Sequence, residues 1–174
     1  MYNLFFGYVC SYIIVTFVTK TFIYLIIIIS YNCTNKEATF VTMNIEKHLE
    51  RLKESIEVID ESITKDITKR QRTIGFSISA ASADMFEILL HKNKIVDPGF
   101  IVKHEWFKSK NKIKEKFPFD FKDKERILKL MAFIEESRDP LCYGTPKSEN
   151  FIKEIITKFN ELKKIFKDKG VALD

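Results

Sequence analysis

The chain has 174 residues, 45% hydrophobic and 30% charged, which is typical of one globular domain with an appendage and argues against wholesale disorder. Five glycines and four prolines supply too few turns for an all-β sandwich or barrel, so a helical fold is favoured. The formal net charge of +5 is a mild excess that is compatible with RNA or an acidic partner and establishes neither.

Residues 1–42 form a hydrophobic N-terminal segment, in which residues 4–29 carry a single charge, Lys20. About 20 apolar residues are enough to cross a bilayer, so the length predicts a transmembrane helix. No basic stretch precedes it and no small-residue cleavage site follows it, which disfavours a cleaved signal peptide. The lysines and arginines that follow the segment would leave the C-terminal domain in the cytoplasm, as in a single-pass membrane protein.

The change of pattern near Met43 leaves other interpretations of this segment open. At "VTMNIEKHLE" a sequence rich in Ile, Phe and Tyr gives way to a regular amphipathic pattern. Met43 is therefore a second candidate for the true start, with residues 1–42 a translated AT-rich upstream region and the protein cytoplasmic. A third interpretation is that residues 4–29 form a buried helix.

Residues 44–170 predict an all-α fold, an antiparallel bundle of four or five helices with short connections. The first helix shows apolar residues at alternating spacings of four and three, a single stripe along one face: Ile45, Leu49, Leu52, Ile56, Ile59, Ile63 and Ile67. Asp66 is the predicted N-cap of a second helix that runs to about Lys92. Its small residues, "SISAASA", would let a neighbouring helix approach closely.

Turn signals divide the second half of the chain into three further helices. Pro98 and Gly99 make a turn, and a shorter helix follows that ends at Phe117–Pro118. Asp120 or Asp123 caps the next helix. Thr145–Pro146 is the predicted N-cap and first position of the last one, which ends before Gly170.

The octapeptide "SRDPLCYG", Ser137–Gly144, stands between the last two helices and has two interpretations. The first is structural. Arg138 is a cation favoured at a helix C-terminus, and Asp139–Pro140 starts a turn. Tyr143 packs on the bundle, and Gly144 supplies a positive φ.

The second interpretation is functional. With "SISAASADMFEILLHK" upstream and His104 in the middle connection, the octapeptide resembles the HEPN domain family, small helical bundles found beside minimal nucleotidyltransferases in prokaryotes. The family motif is an Arg, commonly followed by Asn, Asp or His, and about four residues later by a His. One subgroup ends in Tyr-Gly, and Arg138, Asp139, Tyr143 and Gly144 match its pattern. The resemblance covers about residues 44–168.

The resemblance implies a homodimer in which the motif arginines of two subunits meet, and a nucleotidyltransferase-type antitoxin as partner. In toxin members these arginines assist metal-independent RNA cleavage. Here Tyr143 stands where nuclease members have His, and a phenol with a pKa of about 10 is a poor base at pH 7. We therefore expect a toxin-type, nucleotide- or RNA-binding module with weak or no ribonuclease activity, and Arg138, Asp139 and Tyr143 as candidate catalytic residues. The alternative is a single-pass membrane-anchored helical interaction protein without a ligand.

Other residues are weaker candidates for a site. The charge run "KRQR" offers phosphate ligands in Lys69, Arg70 and Arg72, although such a run is usually a solvated helix face, and His104 is a further candidate ligand for nucleic acid. No carboxylate or cysteine stands at metal-ligand spacing from the histidines His48, His91 and His104, and the three cysteines are widely spaced, so neither a metal nor a cofactor is predicted. Trp106 is expected in the core or at a dimer interface.

Overall fold

The computed structural model describes residues 45–172. Contacts divide the chain between residues 42 and 43, and every described residue belongs to the second unit. The hydrophobic segment 1–42, with its candidate span 4–29 and its candidate start Met43, lies outside the described residues. Its interpretations stay predictions.

Within residues 45–172 every regular element is a helix, which confirms the predicted all-α bundle. The first helix, α1, covers residues 45–65 of the described range. The other elements are α2 (Gln71–Lys92), a short 3-10 helix (His104–Lys108), α3 (Lys110–Lys116), α4 (Lys124–Cys142) and α5 (Glu149–Asp168). Helix α2 packs against both α4 and α5, which also pack against each other, and the 3-10 helix packs against α4.

Helix α2 is the central helix of the bundle. Its apolar side chains are almost completely shielded from solvent, among them Ile74, Ile78, Met85, Phe86 and Ile88. Among the described helices, only α2 is long and apolar enough to cross a membrane, and 78% of its apolar window is buried inside the bundle. Neighbouring helices therefore surround most of the apolar surface of α2.

A cluster of aromatic rings attaches the middle connection to α2. The ring of Phe86 lies 6.2 Å from that of Phe107 and 5.2 Å from that of Phe117, between centroids. Trp106 is half-buried and packs on Phe100 and Phe117 at 5.7 and 5.9 Å. Edge-to-face and tilted contacts of this kind stabilise a core beyond the area they bury. They hold the 3-10 helix beside α4, where two of its polar side chains reach the candidate site.

Several predicted helix starts are wrong by a few residues. Asp66 does not cap α2, which begins at Gln71. Instead its carboxylate accepts hydrogen bonds from the backbone N–H groups of Thr68 and Lys69, at 3.0 and 3.1 Å, in the turn before the helix. Helix α5 begins after Ser148, not Thr145, and the Ser148 hydroxyl accepts the N–H of Phe151 at 3.3 Å. Ser148 thereby caps the first turn of α5, whereas the residue before α2, Arg70, makes no side-chain capping bond.

The predicted turn at Asp139–Pro140 is also wrong, because α4 continues through Pro140 to Cys142. A proline inside a helix removes one backbone hydrogen bond. The helix persists because Leu141 and Cys142, directly after the proline, are buried in the bundle, and because the Tyr143 N–H donates to the Asp139 carbonyl at 3.0 Å.

Gly144 does not have the predicted positive φ; Gly170 is the glycine with that conformation among residues 45–172. The reason for a glycine at this position is space. A Cβ atom at position 144 would collide with the carbonyl oxygen of Pro140.

Helices α2 and α4 approach each other closely at Gly75. A Cβ atom there would lie 2.8 Å from Leu141 Cβ and 3.0 Å from Cys142 Sγ. Gln71 holds the same contact in place. Its amide nitrogen donates to the Leu141 carbonyl at 3.1 Å, and its amide oxygen accepts the N–H of Lys147 at 2.8 Å. The start of α2 is thereby joined to the end of α4 and to the connection that follows it.

We expect Gly75→Ala to lower the free energy of unfolding by about 1–2 kcal/mol. Overpacking typically costs about 1–3 kcal/mol, and the gain in helix propensity of up to about 1 kcal/mol offsets only part of it. Thermal unfolding of the full chain followed by circular dichroism measures the change. Gly99→Ala is the matched control, because a Cβ at Gly99 meets nothing within 4 Å. Equal melting temperatures for the two variants would contradict the close approach.

Candidate functional site

Two side chains of the octapeptide contact the ring of Phe76 on α2. The guanidinium carbon of Arg138 lies 5.1 Å from the ring centroid, and that of Arg72 lies 5.8 Å from it. The Tyr143 ring meets the same ring edge-on, with centroids 5.7 Å apart and an interplanar angle of 90°. We call Arg72, Phe76, Arg138 and Tyr143 the Phe76 cluster. Helical spacing explains why Arg72 lies near Phe76, because the two residues are four positions apart and therefore neighbours on α2.

Positive charge exceeds negative charge around this ring. The carboxylate next to Arg138 is that of Asp139, whose Oδ1 lies 3.4 Å from Arg138 Nη1. The other oxygen of Asp139 binds Lys108 Nζ at 2.5 Å, and this hydrogen bond holds the pKa of Asp139 below its usual range. The Asp139 carboxylate therefore contacts two cations, Lys108 and Arg138, and Arg72 adds a third positive charge at the Phe76 ring. The side chain of Arg138 is 21% exposed, so its charge is partly shielded from water and from dissolved salt.

A second polar cluster lies between α2, α4 and the 3-10 helix. His104 Nδ1 is 2.9 Å from Glu135 Oε1 and 3.0 Å from Ser79 Oγ, and the Ser79 hydroxyl donates to the same Glu135 oxygen at 2.7 Å. Glu135 is completely buried, whereas the His104 side chain is 40% exposed. We call these three residues the His104 cluster. A carboxylate at Nδ1 favours the tautomer with the hydrogen on Nδ1, which leaves Nε2 free to accept a proton.

The two clusters occupy adjacent turns of the same two helices. Phe76 and Ser79 are three residues apart on α2, and Glu135 and Arg138 are three apart on α4. Residues at this spacing have Cβ atoms about 5–6 Å apart on one helix face. The structure therefore brings the imidazole of His104 and the guanidinium of Arg138 to the same end of the bundle, although the two residues are 34 positions apart in the sequence.

The remaining residues of the charge run do not join this site. Lys69 and Arg70 lie in the exposed turn before α2, and Lys69 Nζ is 3.4 Å from a carboxylate oxygen of Asp66. Arg72 alone of the run reaches Phe76, because it stands on the helix itself.

A third cluster connects α1 to α2 and was missed at the level of sequence. His48 Nδ1 lies 2.8 Å from Asp84 Oδ1, and His48 Nε2 lies 2.8 Å from Glu87 Oε2. We call these three buried residues the His48 cluster. The hydrogen bonds to Asp84 and Glu87 raise the pKa of His48 to about 9. His91 stacks on His48 with ring centroids 6.1 Å apart, and burial lowers the pKa of His91.

Sequence spacing hides the His48 cluster, since 36 residues separate His48 from Asp84. One signal was present. His48 stands on the apolar stripe of α1, three residues after Ile45 and four before Leu52, and polar residues on a buried stripe need partners.

A pocket of about 470 Å³ lies between the His48 cluster and His104. Small side chains of α2, Ala80 and Ala83, line it together with the basic residues Lys47 and Arg51 of α1. The segment from Pro98 to Val102 forms another part of its wall. The volume is in the range of small-molecule sites.

We expect neutral His104 to carry its hydrogen on Nδ1, because the Glu135 carboxylate accepts it there. Two-bond proton–nitrogen correlation spectra of the full chain, recorded at a pH where the ring is neutral, report the tautomer. Glu135→Leu removes the acceptor and should return the ring toward the Nε2–H form. An Nε2–H form in the unmodified chain would contradict this arrangement.

Comparison of the chain with protein-family models, with curated proteins and with solved structures finds no match.

Proposed function

We propose that this protein is a HEPN-like module that binds single-stranded RNA or a nucleotide at the Phe76 cluster, with weak ribonuclease activity at most. The observation that carries the proposal is the pair of guanidinium groups, Arg72 and Arg138, at one aromatic ring beside an exposed tyrosine.

The charges of the cluster fit a phosphate group. Arginine is permanently charged, and its planar fork binds phosphate through two parallel hydrogen bonds. Arg138 is oriented by its contact with Phe76, while Lys108 engages the neighbouring carboxylate of Asp139. Two guanidinium groups near one ring repel each other, and a phosphate bound between them removes that repulsion.

Tyr143 favours a nucleic acid over inorganic phosphate. The residue is 65% exposed, and its ring stands perpendicular to that of Phe76, so ring surface is accessible to a base. Stacking of a base on an aromatic side chain is worth about 1–3 kcal/mol and tolerates any sequence. An exposed aromatic ring beside two arginines therefore suits a single strand.

Cleavage requires a base for the 2′-hydroxyl and a cation for the charge that develops on phosphorus. Arg138 suits the second task. Tyr143, which stands in the place of the motif histidine, is a poor base, whereas His104 has Nε2 free and its ring held by Glu135. His104 lies in the 3-10 helix, and its partners Ser79 and Glu135 stand one helical turn away from Phe76 and Arg138. Because His104 is not part of the octapeptide, we propose only slow cleavage.

The resemblance to the HEPN family also supports a proposal about partners. It would place Arg138 of two subunits together in a homodimer and give the protein a nucleotidyltransferase-type antitoxin as partner. If residues 4–29 are expressed, the bundle is tethered to a membrane on its cytoplasmic side; a start at Met43 leaves it cytoplasmic. The apolar stretch 4–29 favours the alternative function, an anchored interaction module without a ligand.

Arg138→Ala should weaken binding of a fluorescent single-stranded RNA by about 10-fold or more, because a hydrogen bond to a charged group contributes about 1.5–3 kcal/mol. Fluorescence anisotropy with the full chain measures the dissociation constant. Arg126→Ala is the matched control, since Arg126 is an exposed arginine paired with Glu161 at 2.8 Å. An equal loss of RNA affinity in both variants would indicate nonspecific attraction to positive charge and contradict the site.

Tyr143→Phe should bind the same RNA like the unmodified chain, and Tyr143→Ala should bind it more weakly.

Incubation of the full chain with RNA in the presence of EDTA tests the activity. We expect slow cleavage that His104→Ala abolishes, and faster cleavage by Tyr143→His, since general acid–base catalysis contributes about 10²–10⁴-fold. Rapid cleavage by the unmodified chain that Arg138→Ala removes and His104→Ala leaves intact would make Tyr143 the acting group. Inactivity of every variant would leave binding as the function.

A further inference from the structure

We propose that the His48 cluster is a binding site for one divalent first-row transition-metal ion, with Zn²⁺ and Mn²⁺ as the ions to test. The site is separate from the Phe76 cluster and does not depend on the function proposed for it.

The geometry of the donors supports this. His48, Asp84 and Glu87 each offer a ligand atom, and the three atoms lie within 4.8 Å of one another. Asp84 and Glu87 are one turn apart on α2, so their carboxylates share a helix face, and His48 approaches from α1. In a tetrahedral site with metal–ligand bonds of about 2.0–2.2 Å, neighbouring ligand atoms lie slightly more than 3 Å from each other. The two carboxylates lie at different ring nitrogens of His48, so the carboxylate at one nitrogen turns toward the other when an ion binds, and the ion replaces the hydrogen of the ring nitrogen that it occupies.

Charge also points to a cation. All three side chains are buried, and two carboxylates face a single imidazole. Even with a charged imidazole the three side chains keep a net negative charge in a buried position, whereas the basic residues of the same pocket, Lys47 and Arg51, are exposed to solvent. A divalent ion neutralises both carboxylates at once.

The surroundings of the cluster resemble the outer shell and the access path of a metal site. Glu87 Oε1 accepts the Val102 N–H at 2.5 Å, which fixes the carboxylate and leaves Oε2 toward His48. His91, stacked on His48, has a buried Nε2 with no hydrogen-bond partner among the described residues. The 470 Å³ pocket touches all three donors and gives an ion and its water ligands a route from solvent.

The donor types select the class of ion. Mg²⁺ and Ca²⁺ prefer oxygen ligands throughout, whereas an imidazole nitrogen beside carboxylates suits zinc, manganese and iron.

The test starts with the full 174-residue chain, freed of metal with a chelator that is then removed by dialysis. Titration calorimetry should show one ion of Zn²⁺ or Mn²⁺ per chain, and saturating Zn²⁺ should raise the melting temperature by about 5 °C or more. Mg²⁺ at the same concentration should leave the melting temperature unchanged. Absence of binding and of stabilisation by Zn²⁺ and Mn²⁺ would overturn the proposal.

Variants locate the ion. Asp84→Asn and Glu87→Gln keep the size of the side chain and should each weaken binding at least about 10-fold. Glu161→Gln should not, because Glu161 is a partly exposed carboxylate paired with Arg126 and Lys158. Unchanged affinity in a variant that circular dichroism shows to be helical would overturn the site. X-ray absorption at the zinc edge of the unmodified chain needs no variant. It should show nitrogen and oxygen ligands, and sulfur ligands would assign the ion to cysteines instead.

Discussion

The close approach of α2 to the end of α4 at Gly75 is the contact on which both clusters near the octapeptide depend. With no side chain at Gly75, Leu141 and Cys142 lie directly against the α2 backbone. This contact fixes how α2 is aligned along α4, and the neighbouring contacts follow from that alignment. Phe76 comes under the guanidinium of Arg138, and one turn later Ser79 reaches Glu135. A larger residue at position 75 would separate the helices and weaken both pairs together.

Helix α2 lies in the core of the bundle and also carries buried polar side chains. It is apolar enough to span a membrane, yet Ser79, Asp84 and Glu87 are buried along it. Each has a partner from another element: α4 and the 3-10 helix for Ser79, and α1 for the two carboxylates. Buried polar groups without such partners would destabilise the fold by several kcal/mol. The bundle is therefore held together by specific polar contacts as well as by apolar packing.

The two ends of α2 differ in charge. Its N-terminal end carries Arg72 and lies beside Arg138 and Lys108, an environment for an anion. Its C-terminal half carries two carboxylates around a histidine, an environment for a cation. The pocket beside the His48 cluster also touches His104, so a ligand there would lie next to the imidazole that we propose as the base.

Helical periodicity was sufficient to assign the all-α class and the position of most helices, because apolar spacing along a chain depends on local sequence alone. The proximity of Arg138 and Tyr143 could also be expected, since they belong to one octapeptide. The conformation of the octapeptide could not, because the burial of Leu141 and Cys142 outweighs the helix-breaking tendency of Pro140. The partners of His48 and His104 could not be predicted from the sequence either. Asp84, Glu87 and Glu135 lie more than 30 residues from their histidines, and only the packing of α1, α2, α4 and the 3-10 helix decides which side chains meet.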